Sequence, residues 1–153
     1  MGIHVKWRLD VLMVDDSAED IELFTRGFAA HGRMRSFHAV HDGEEAIAYL
    51  RSEPPFDDRM SFPPPNIIIT DLKMPRMDGF EFLEWLQKHP DCSVIPTIVL
   101  SGSALEGDVR RSYQLGANAF ITKPKTNEEL REIVEAMFRF WSLYERPAVV
   151  PVC

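Results

Sequence analysis

The sequence of 153 residues predicts a doubly wound α/β domain, in which helices cover both faces of a parallel sheet. Five short runs rich in Val and Ile recur along the chain, and a longer stretch of mixed polar and apolar residues follows each. Such alternation is typical of repeated strand-helix units. Several runs are continuously apolar, which is the pattern of parallel strands buried on both faces. The expected architecture is a three-layer sandwich.

The predicted strands are the apolar runs, and the predicted helices begin where a side-chain acceptor precedes an acid by three residues. An acceptor at that position bonds the free amides of the first helical turn. The strands are Leu9 to Val14, Phe37 to Val40, Asn66 to Thr70, Ile95 to Leu100 and Ala119 to Thr122. The helix-start pairs are Ser17 with Asp20, Asp42 with Glu45, Asp78 with Glu81, Ser103 with Glu106 and Thr126 with Glu129. Helix ends are expected near Gly32, Pro54, His89-Pro90 and Gly116.

The last predicted helix carries an apolar stripe at helical spacing, which indicates a face packed against the core. Phe140 and Leu143 fall off this stripe, and two interpretations stay open for them. They form a surface for a partner or a second copy of the chain, or the C-terminal tail covers them. The stripe comprises Leu130, Ile133, Val134, Met137, Trp141 and Tyr144.

Chain length and proline content define the expected organisation. Residues 9-144 are predicted to form one domain, after an N-terminal extension of residues 1-8 and before a C-terminal tail of residues 145-153. Within the domain, residues 53-65 hold five prolines and are predicted to be a surface loop. Pro147 and Pro151 prevent a regular helix in the tail.

Composition excludes several classes of function. The net charge of -7 argues against nonspecific binding of nucleic acid, which requires a basic surface. Neither a signal peptide nor a membrane-spanning run is recognisable, so that a cytoplasmic protein without membrane contact is expected. The two cysteines, Cys92 and Cys153, form no C-x-x-C motif. They suggest neither a disulfide framework nor a zinc site, and a reducing compartment is the default expectation.

Polar side chains with chemical potential stand where the predicted strands end. Asp15 and Asp16 end the first strand, Asp71 the third and Ser101 the fourth, and Lys123 follows the fifth. The carboxyl ends of parallel strands meet at one edge of the sheet, where α/β proteins bind their ligands. Three acids gathered there repel one another unless a cation neutralises them, and carboxylate oxygens suit Mg²⁺.

These residue types fit phosphoryl transfer to an aspartate. A carboxylate beside Mg²⁺ stays ionised and can attack phosphorus, while Ser101 and Lys123 can hold the phosphoryl oxygens. Each residue also has a purely structural interpretation. The Asp15-Asp16 pair suits a turn before a helix, Lys123 suits a counter-ion for the acids, and the Ser101 hydroxyl suits a bond to the backbone.

Four segments together resemble the bacterial response-regulator receiver family, over about residues 8 to 144. The resemblance implies a flavodoxin-like fold of five strand-helix units, with a parallel sheet of order 2-1-3-4-5. It also implies two-component signalling, in which a histidine kinase supplies the phosphoryl group. The segments are Val14-Asp15-Asp16-Ser17, Thr70 to Gly79, Leu100-Ser101-Gly102 and Thr122-Lys123-Pro124.

The resemblance assigns a role to each matching residue. Asp71 is the phosphoacceptor, and it binds Mg²⁺ together with Asp16, the backbone carbonyl of Lys73 and, often through water, Asp15. Ser101 and Lys123 contact the phosphoryl group, and Ser101 is coupled to Phe120, the aromatic switch residue. The Lys123-Pro124 peptide bond is expected to be cis. Leu23, Pro124, Phe140 and Leu143 are the candidate partner-docking residues.

A narrower resemblance concerns single-domain regulators that are paired with bacterial phytochrome kinases. It rests on the proline loop, on Gln114 to Asn118 and on the aromatic segment Phe138 to Trp141. It implies a phytochrome-type histidine kinase as partner and makes a homodimer plausible. A downstream protein or phosphotransfer partner is expected to receive the signal.

Two other functions compete with a phosphorylation-controlled binding module that is not itself an enzyme. A phosphatase of the haloacid-dehalogenase type also uses an aspartate nucleophile, but it requires a second acid two residues later, where this chain has Lys73. A domain that docks without phosphorylation would not need so complete a set of polar residues at the strand ends.

Overall fold

The computed structural model describes residues 8–145 and residue 153, and its five parallel strands confirm the predicted fold class. The strands lie in the order β2-β1-β3-β4-β5, as the family resemblance implied. Val14 pairs with Val40 on one side and with Thr70 on the other, so that β1 and β3 end side by side. The strands are β1 Leu9–Val14, β2 Met34–Val40, β3 Ile67–Thr70, β4 Thr97–Ser101 and β5 Ala119–Thr122.

Within residues 8–145, six helices connect and follow the strands. They are α1 Ala18–Ala29, α2 Gly43–Leu50, α3 Gly79–Gln87, α4 Pro90–Ser93, α5 Glu106–Gln114 and α6 Asn127–Leu143. Four predicted caps are confirmed, because Ser17, Asp42, Asp78 and Thr126 each accept a hydrogen bond from the amide three residues later.

The predicted start of α5 is wrong. Leu105 occupies the cap position and offers no side-chain acceptor. Residues 103–105 remain outside the helix, so the Ser103 hydroxyl lies too early in the chain to reach the first helical amides. The short α4 was not predicted either. Pro90 stands at its beginning, where the missing amide proton of proline costs nothing.

Two apolar cores lie on opposite faces of the sheet and complete the three-layer sandwich. Successive residues of β1 alternate between them, since Leu12 packs with α2 and α3 whereas Val11 packs with α1 and α6. The first core contains Tyr49 and Phe82, and the second contains Phe28. Burial on both faces explains why the central strands are mostly apolar.

The apolar stripe of α6 is largely confirmed. Leu130, Val134, Met137 and Trp141 are buried, and Ile133 is partly buried against the same core. Tyr144 is the exception, because it lies beyond the end of the helix and is exposed. The apolar face is wider than the stripe, because Phe138 is also buried and stacks on the ring of His31.

Residues 53-65 contain no helix or strand, but the loop is folded onto α2 rather than projecting from the surface. Phe56 and Phe62 pack against Tyr49. Arg59 donates hydrogen bonds to the carbonyl oxygens of Tyr49 at 3.0 Å and Leu50 at 2.8 Å, which satisfies the end of α2.

Two local expectations are wrong. Among the described residues, the cis peptide bond joins Pro54 to Pro55, and the Lys123-Pro124 bond is not cis. The trans isomer is favoured before proline by about 0.5–1 kcal/mol. A disulfide bond joins Cys92 to Cys153. Sequence spacing could not indicate this disulfide, because the two cysteines are 61 residues apart in the sequence and come together only in the folded chain. No helix among the described residues is long and apolar enough to cross a membrane.

Candidate functional site

Three predicted acids converge at the carboxyl edge of the sheet. Asp15 and Asp16 follow β1, Asp71 follows β3, and each offers one carboxylate oxygen within 4.8 Å of the others. Asp15 and Asp71 are buried and Asp16 is exposed, so the cluster opens to solvent on one side. This arrangement follows directly from the pairing of Val14 with Thr70, since parallel strands that end in register deliver the next residues to one place.

Lys123 supplies the positive charge of the site. Its Nζ atom lies 2.8 Å from Asp71 Oδ2, 2.7 Å from Asp20 Oδ2 and 3.0 Å from Asp15 Oδ2. Burial disfavours the charged ammonium, but the hydrogen bonds to Asp20 and Asp71 and the ion pair with Asp15 outweigh burial and raise the pKa of Lys123. Lys123 therefore remains charged over the whole physiological range.

Asp20 is the site residue that the sequence did not identify. The acid was predicted only as part of the helix start with Ser17, and its amide does donate to the Ser17 hydroxyl. Acids are common in the first turn of any helix, since they interact favourably with the helix dipole. The sequence contained one indication of this role. Asp20 lies in the first helical turn after Asp15 and Asp16, and this position brings its side chain back toward the strand ends.

The backbone around Asp71 is held tightly. The amide of Asp71 donates to the carbonyl oxygen of Val14 at 2.9 Å, and its carboxylate Oδ1 accepts from the amide of Leu72 at 2.7 Å. The amide of Gly79 donates to the carbonyl oxygen of Leu72 at 2.8 Å. One carboxylate oxygen therefore faces a backbone donor, and the other faces the Lys123 ammonium.

Ser101 and Phe120 lie on neighbouring strands. Ser101 ends β4, and its carbonyl oxygen accepts from the amide of Lys123 at 2.8 Å. Ser101 is buried as a residue, and its hydroxyl makes no hydrogen bond within the described part of the chain, so it can serve as a donor. Phe120 lies on β5, where it pairs with Val99 of β4. Its side chain is partly buried against the first core, so it is not part of the acid cluster. Lys73 is exposed, two residues after Asp71.

Asp15 provides the test of whether the cluster suits a metal ion. Its Oδ1 accepts from the amide of Ser17 at 2.9 Å, but its buried Oδ2 has no hydrogen bond of suitable geometry within residues 8–145, despite its proximity to Lys123. Burial raises the pKa of Asp15, and the charge of Asp71 raises it further. A buried carboxylate oxygen without a donor, beside two other acids, fits a hard cation.

Asp15→Asn is expected to stabilise the metal-free protein while removing most of its response to Mg²⁺. The raised pKa means that the folded state holds the Asp15 proton more tightly than the unfolded state. This group therefore favours folding in acid, and its contribution is lost as pH rises through the folded-state pKa. At pH 7 asparagine removes that cost, which we expect to raise the free energy of unfolding by about 1 kcal/mol.

The measurement is thermal unfolding at pH 7 with and without Mg²⁺. Wild type should gain about 2.7 kcal/mol when Mg²⁺ is a hundred times its dissociation constant. Asp91→Asn is the control, since Asp91 is an exposed acid on α4 and should respond like wild type. An equal Mg²⁺ response in Asp15→Asn would rule out Asp15 as a determinant of the site.

An ion pair between the buried Asp42 and the exposed Arg76 holds the loop between β3 and α3 in place. Asp42 is 0% exposed, and it accepts from the amide of Glu45 at 2.9 Å through Oδ1 and from Arg76 Nε at 2.6 Å through Oδ2. Arg76 has a positive φ of 62°. The amide of Gly43 donates to the carbonyl oxygen of Met77 at 3.0 Å and joins the same two loops.

Arg76→Ala is expected to lower the free energy of unfolding, because it leaves the buried Asp42 carboxylate with one oxygen unpaired. Urea unfolding measures this loss. Arg110→Ala is the matched control, since Arg110 forms only an exposed pair with Glu106 and should cost less than ~0.5 kcal/mol. Equal effects of the two substitutions would mean that water replaces the hydrogen bonds from Arg76 to Asp42 without a loss of stability.

The candidate docking residues form two separate surfaces. Leu23 and Pro124 line one shallow cavity at the start of α6. Phe140 and Leu143, which are 60% and 85% exposed, lie at the other end of that helix. The length of α6 places the two surfaces about 24 Å apart. The tail that was considered as a cover for Phe140 and Leu143 falls mostly outside the described residues.

Comparison with protein families and curated proteins finds a match over most of the chain. The profile of the response regulator receiver domain matches residues 11–135. The response regulator Rcp1 of Synechocystis sp. is 32% identical over 131 residues, which cover 86% of this chain and 87% of Rcp1.

Solved structures agree with this comparison. The phosphorylated cyanobacterial phytochrome response regulator RcpA has a TM-score of 0.83 and 34% identity, over 93% of this chain and 100% of RcpA. The Mn²⁺-bound form of Rcp1 has a TM-score of 0.80 and 31% identity, over 92% and 99% of the two chains. Response regulator RPA3017, in red light signaling of R. palustris, has a TM-score of 0.83 and 28% identity, over 92% and 99%.

Proposed function

The chain belongs to the response regulator receiver domain family of two-component signalling, and on that premise we propose that it accepts a phosphoryl group from a histidine kinase on Asp71. One observation carries the proposal. The Asp71 carboxylate lies between a backbone donor, the Lys123 ammonium and two further acids at the carboxyl edge of the sheet. This environment places the Lys123 ammonium where a phosphoryl group would sit.

In the proposed step, a carboxylate oxygen of Asp71 attacks the phosphorus atom of phosphohistidine. The new bond joins oxygen to phosphorus and the phosphorus-nitrogen bond breaks. The electron pair leaves with the imidazole, whose other ring nitrogen carries a proton taken up from water, so that neutral histidine is restored. Lys123 pairs with one phosphoryl oxygen, and the Ser101 hydroxyl donates to another. The product is an acyl phosphate on Asp71.

Asp15, Asp16, Asp71 and the backbone carbonyl of Lys73 would hold Mg²⁺. When bound, the ion neutralises the phosphoryl oxygens as charge develops on them. Two observations support this assignment, namely the unpartnered Oδ2 atom of Asp15 and the Mn²⁺ bound by the relative Rcp1.

The added charge would act through the neighbouring strands. Ser101 is proposed to move toward the phosphoryl group, and Phe120 is proposed to follow it as the switch residue. Ser101 pairs with Thr122 and Phe120 with Val99 in the β4–β5 ladder, so a shift of one strand end reaches the other. The amide of Phe120 donates to the Tyr113 hydroxyl, which links β5 to α5.

We assign the two candidate docking surfaces to different partners. Pro124 follows Lys123 in the chain, and Leu23 lies on α1 and lines the same cavity as Pro124. This surface is on the phosphoacceptor side of the molecule and suits the approach of a kinase. Phe140 and Leu143 suit a downstream protein, a phosphotransfer partner or a second copy of the chain. Names of the relatives RcpA and RPA3017 refer to phytochrome and to red light, which favours a phytochrome-type kinase as the phosphoryl donor.

The test uses acetyl phosphate as a small phosphoryl donor. Wild type incubated with the donor and Mg²⁺ should gain the mass of one phosphoryl group, lose it in mild alkali, and gain none when a chelator removes the metal. Steady release of phosphate from small esters, with no adduct on the protein, would favour the phosphatase instead. The absence of both adduct and turnover would leave a domain that docks without phosphorylation.

A further inference from the structure

Asp20 stands at the site without belonging to its acid cluster. It lies in the first turn of α1, and the metal-compatible cluster consists of Asp15, Asp16 and Asp71. The side chain of Asp20 contacts Lys123 Nζ at 2.7 Å, the shortest of the three distances from that ammonium to a carboxylate. Within residues 8–145, this is the only ion pair of Asp20.

The three carboxylates in contact with Lys123 define a competition for its N–H donors. An ammonium has three N–H donors, and the oxygens of Asp15, Asp20 and Asp71 lie within 3.0 Å of this one. A phosphoryl oxygen on Asp71 can pair with Lys123 only by taking a share of these donors. Asp15 and Asp71 would be engaged by the metal ion, whereas Asp20 lies outside the metal cluster and has Lys123 as its ion-pair partner.

The balance of charge around Lys123 also affects how strongly this ammonium can pair with a phosphoryl oxygen. Four carboxylates surround or adjoin the single ammonium, and a divalent cation at the cluster would still leave one net negative charge before phosphorylation. Adding a phosphoryl dianion increases that excess. Without Asp20, the cation and Lys123 would balance the other three acids.

We propose that Asp20 is a positioning residue that holds Lys123 away from full engagement with the phosphoryl group and so limits the phosphorylated population. This inference rests on the proposed phosphorylation of Asp71. Asp20 touches neither the reacting phosphorus nor the metal cluster, and it acts through Lys123. The Asp20 carboxylate sets how strongly Lys123 stabilises the acyl phosphate once it has formed.

The test compares Asp20→Asn with wild type and with Glu19→Gln. Asparagine keeps the size of the side chain and its oxygen acceptor but removes the charge. Glu19 is the adjacent acid in the same turn, is exposed, and forms no ion pair within the described part of the chain, so Glu19→Gln removes an equal charge without touching Lys123. Each protein is incubated with acetyl phosphate and Mg²⁺, and intact mass gives the rates of phosphorylation and of loss after the donor is removed.

In Asp20→Asn the ratio of the phosphorylation rate to the loss rate should rise roughly tenfold, the order expected for removing one charge near an ion pair. Glu19→Gln should match wild type. The ³¹P resonance of the acyl phosphate should shift in Asp20→Asn alone, because Lys123 then pairs more closely with the phosphoryl oxygens. An unchanged or lower ratio in Asp20→Asn, with wild type still phosphorylated, overturns this inference alone. Absence of phosphorylation in wild type overturns the proposed function itself.

Discussion

Asp71→Asn is expected to abolish phosphorylation by acetyl phosphate while leaving the protein folded. The asparagine oxygen can still accept from the amide of Leu72, but an amide lacks the nucleophilic oxygen that a carboxylate supplies. Lys123 keeps Asp15 and Asp20 as partners. We expect a reduction of at least ~10³-fold, which intact mass will register as no adduct.

The control for this variant is Asp78→Asn. Asp78 lies in the same loop and caps α3 through a side-chain oxygen, which asparagine also provides, so phosphorylation should persist. The removal of Asp71 also relieves its repulsion of Asp15, which lowers the pKa of the Asp15 carboxyl. An adduct of wild-type yield on Asp71→Asn would mean that another acid is the acceptor.

Gly79→Ala is expected to cause the largest loss of stability among the glycine-to-alanine substitutions in the described part of the chain. A Cβ atom at residue 79 would lie 2.1 Å from the carbonyl oxygen of Asp71 and 2.7 Å from the Cα atom of Leu72. Both are backbone atoms, so no side chain can rotate away to make room. The start of α3 would have to separate from the end of β3, and we expect a loss of about 3 kcal/mol or failure to fold.

Urea unfolding of Gly79→Ala should be compared with that of Gly107→Ala. A Cβ at Gly107 meets nothing within 4 Å, and the residue lies in α5, where alanine is the better helix former. That control should be neutral or stabilising by up to ~1 kcal/mol. If the two variants unfold within ~0.5 kcal/mol of each other, the close approach of Gly79 to Asp71 does not constrain the fold.

The strands at the centre of the sheet could be predicted well because burial determines their composition. β1 begins and ends where the sequence predicted, and β3 begins one residue later than predicted. The edge strand β5 also has its predicted bounds. β2 begins three residues earlier than predicted, at Met34, because it lies at the edge of the sheet and tolerates polar residues there. Arg35 and Ser36 bond the buried Asp10 of β1, and no apolar pattern can signal such a pair.

The acids at the strand ends could be predicted because topology alone brings them together. The contact of Asp20 with Lys123 could not be predicted, since acids are common in the first turn of helices that are far from any site. The bond between Cys92 and Cys153 escaped prediction for a related reason, because long-range proximity depends on the completed fold.

That disulfide also closes the chain into a covalent ring that contains β4, α5, β5 and α6. Ser101 and Lys123 lie on the ring, whereas Asp15, Asp20 and Asp71 lie on the linear part before it. A single cut by a protease between residues 92 and 153 would leave both pieces joined. While the bond is intact, the two halves of the site can be separated only by cleavage before Cys92 or by cleavage combined with reduction.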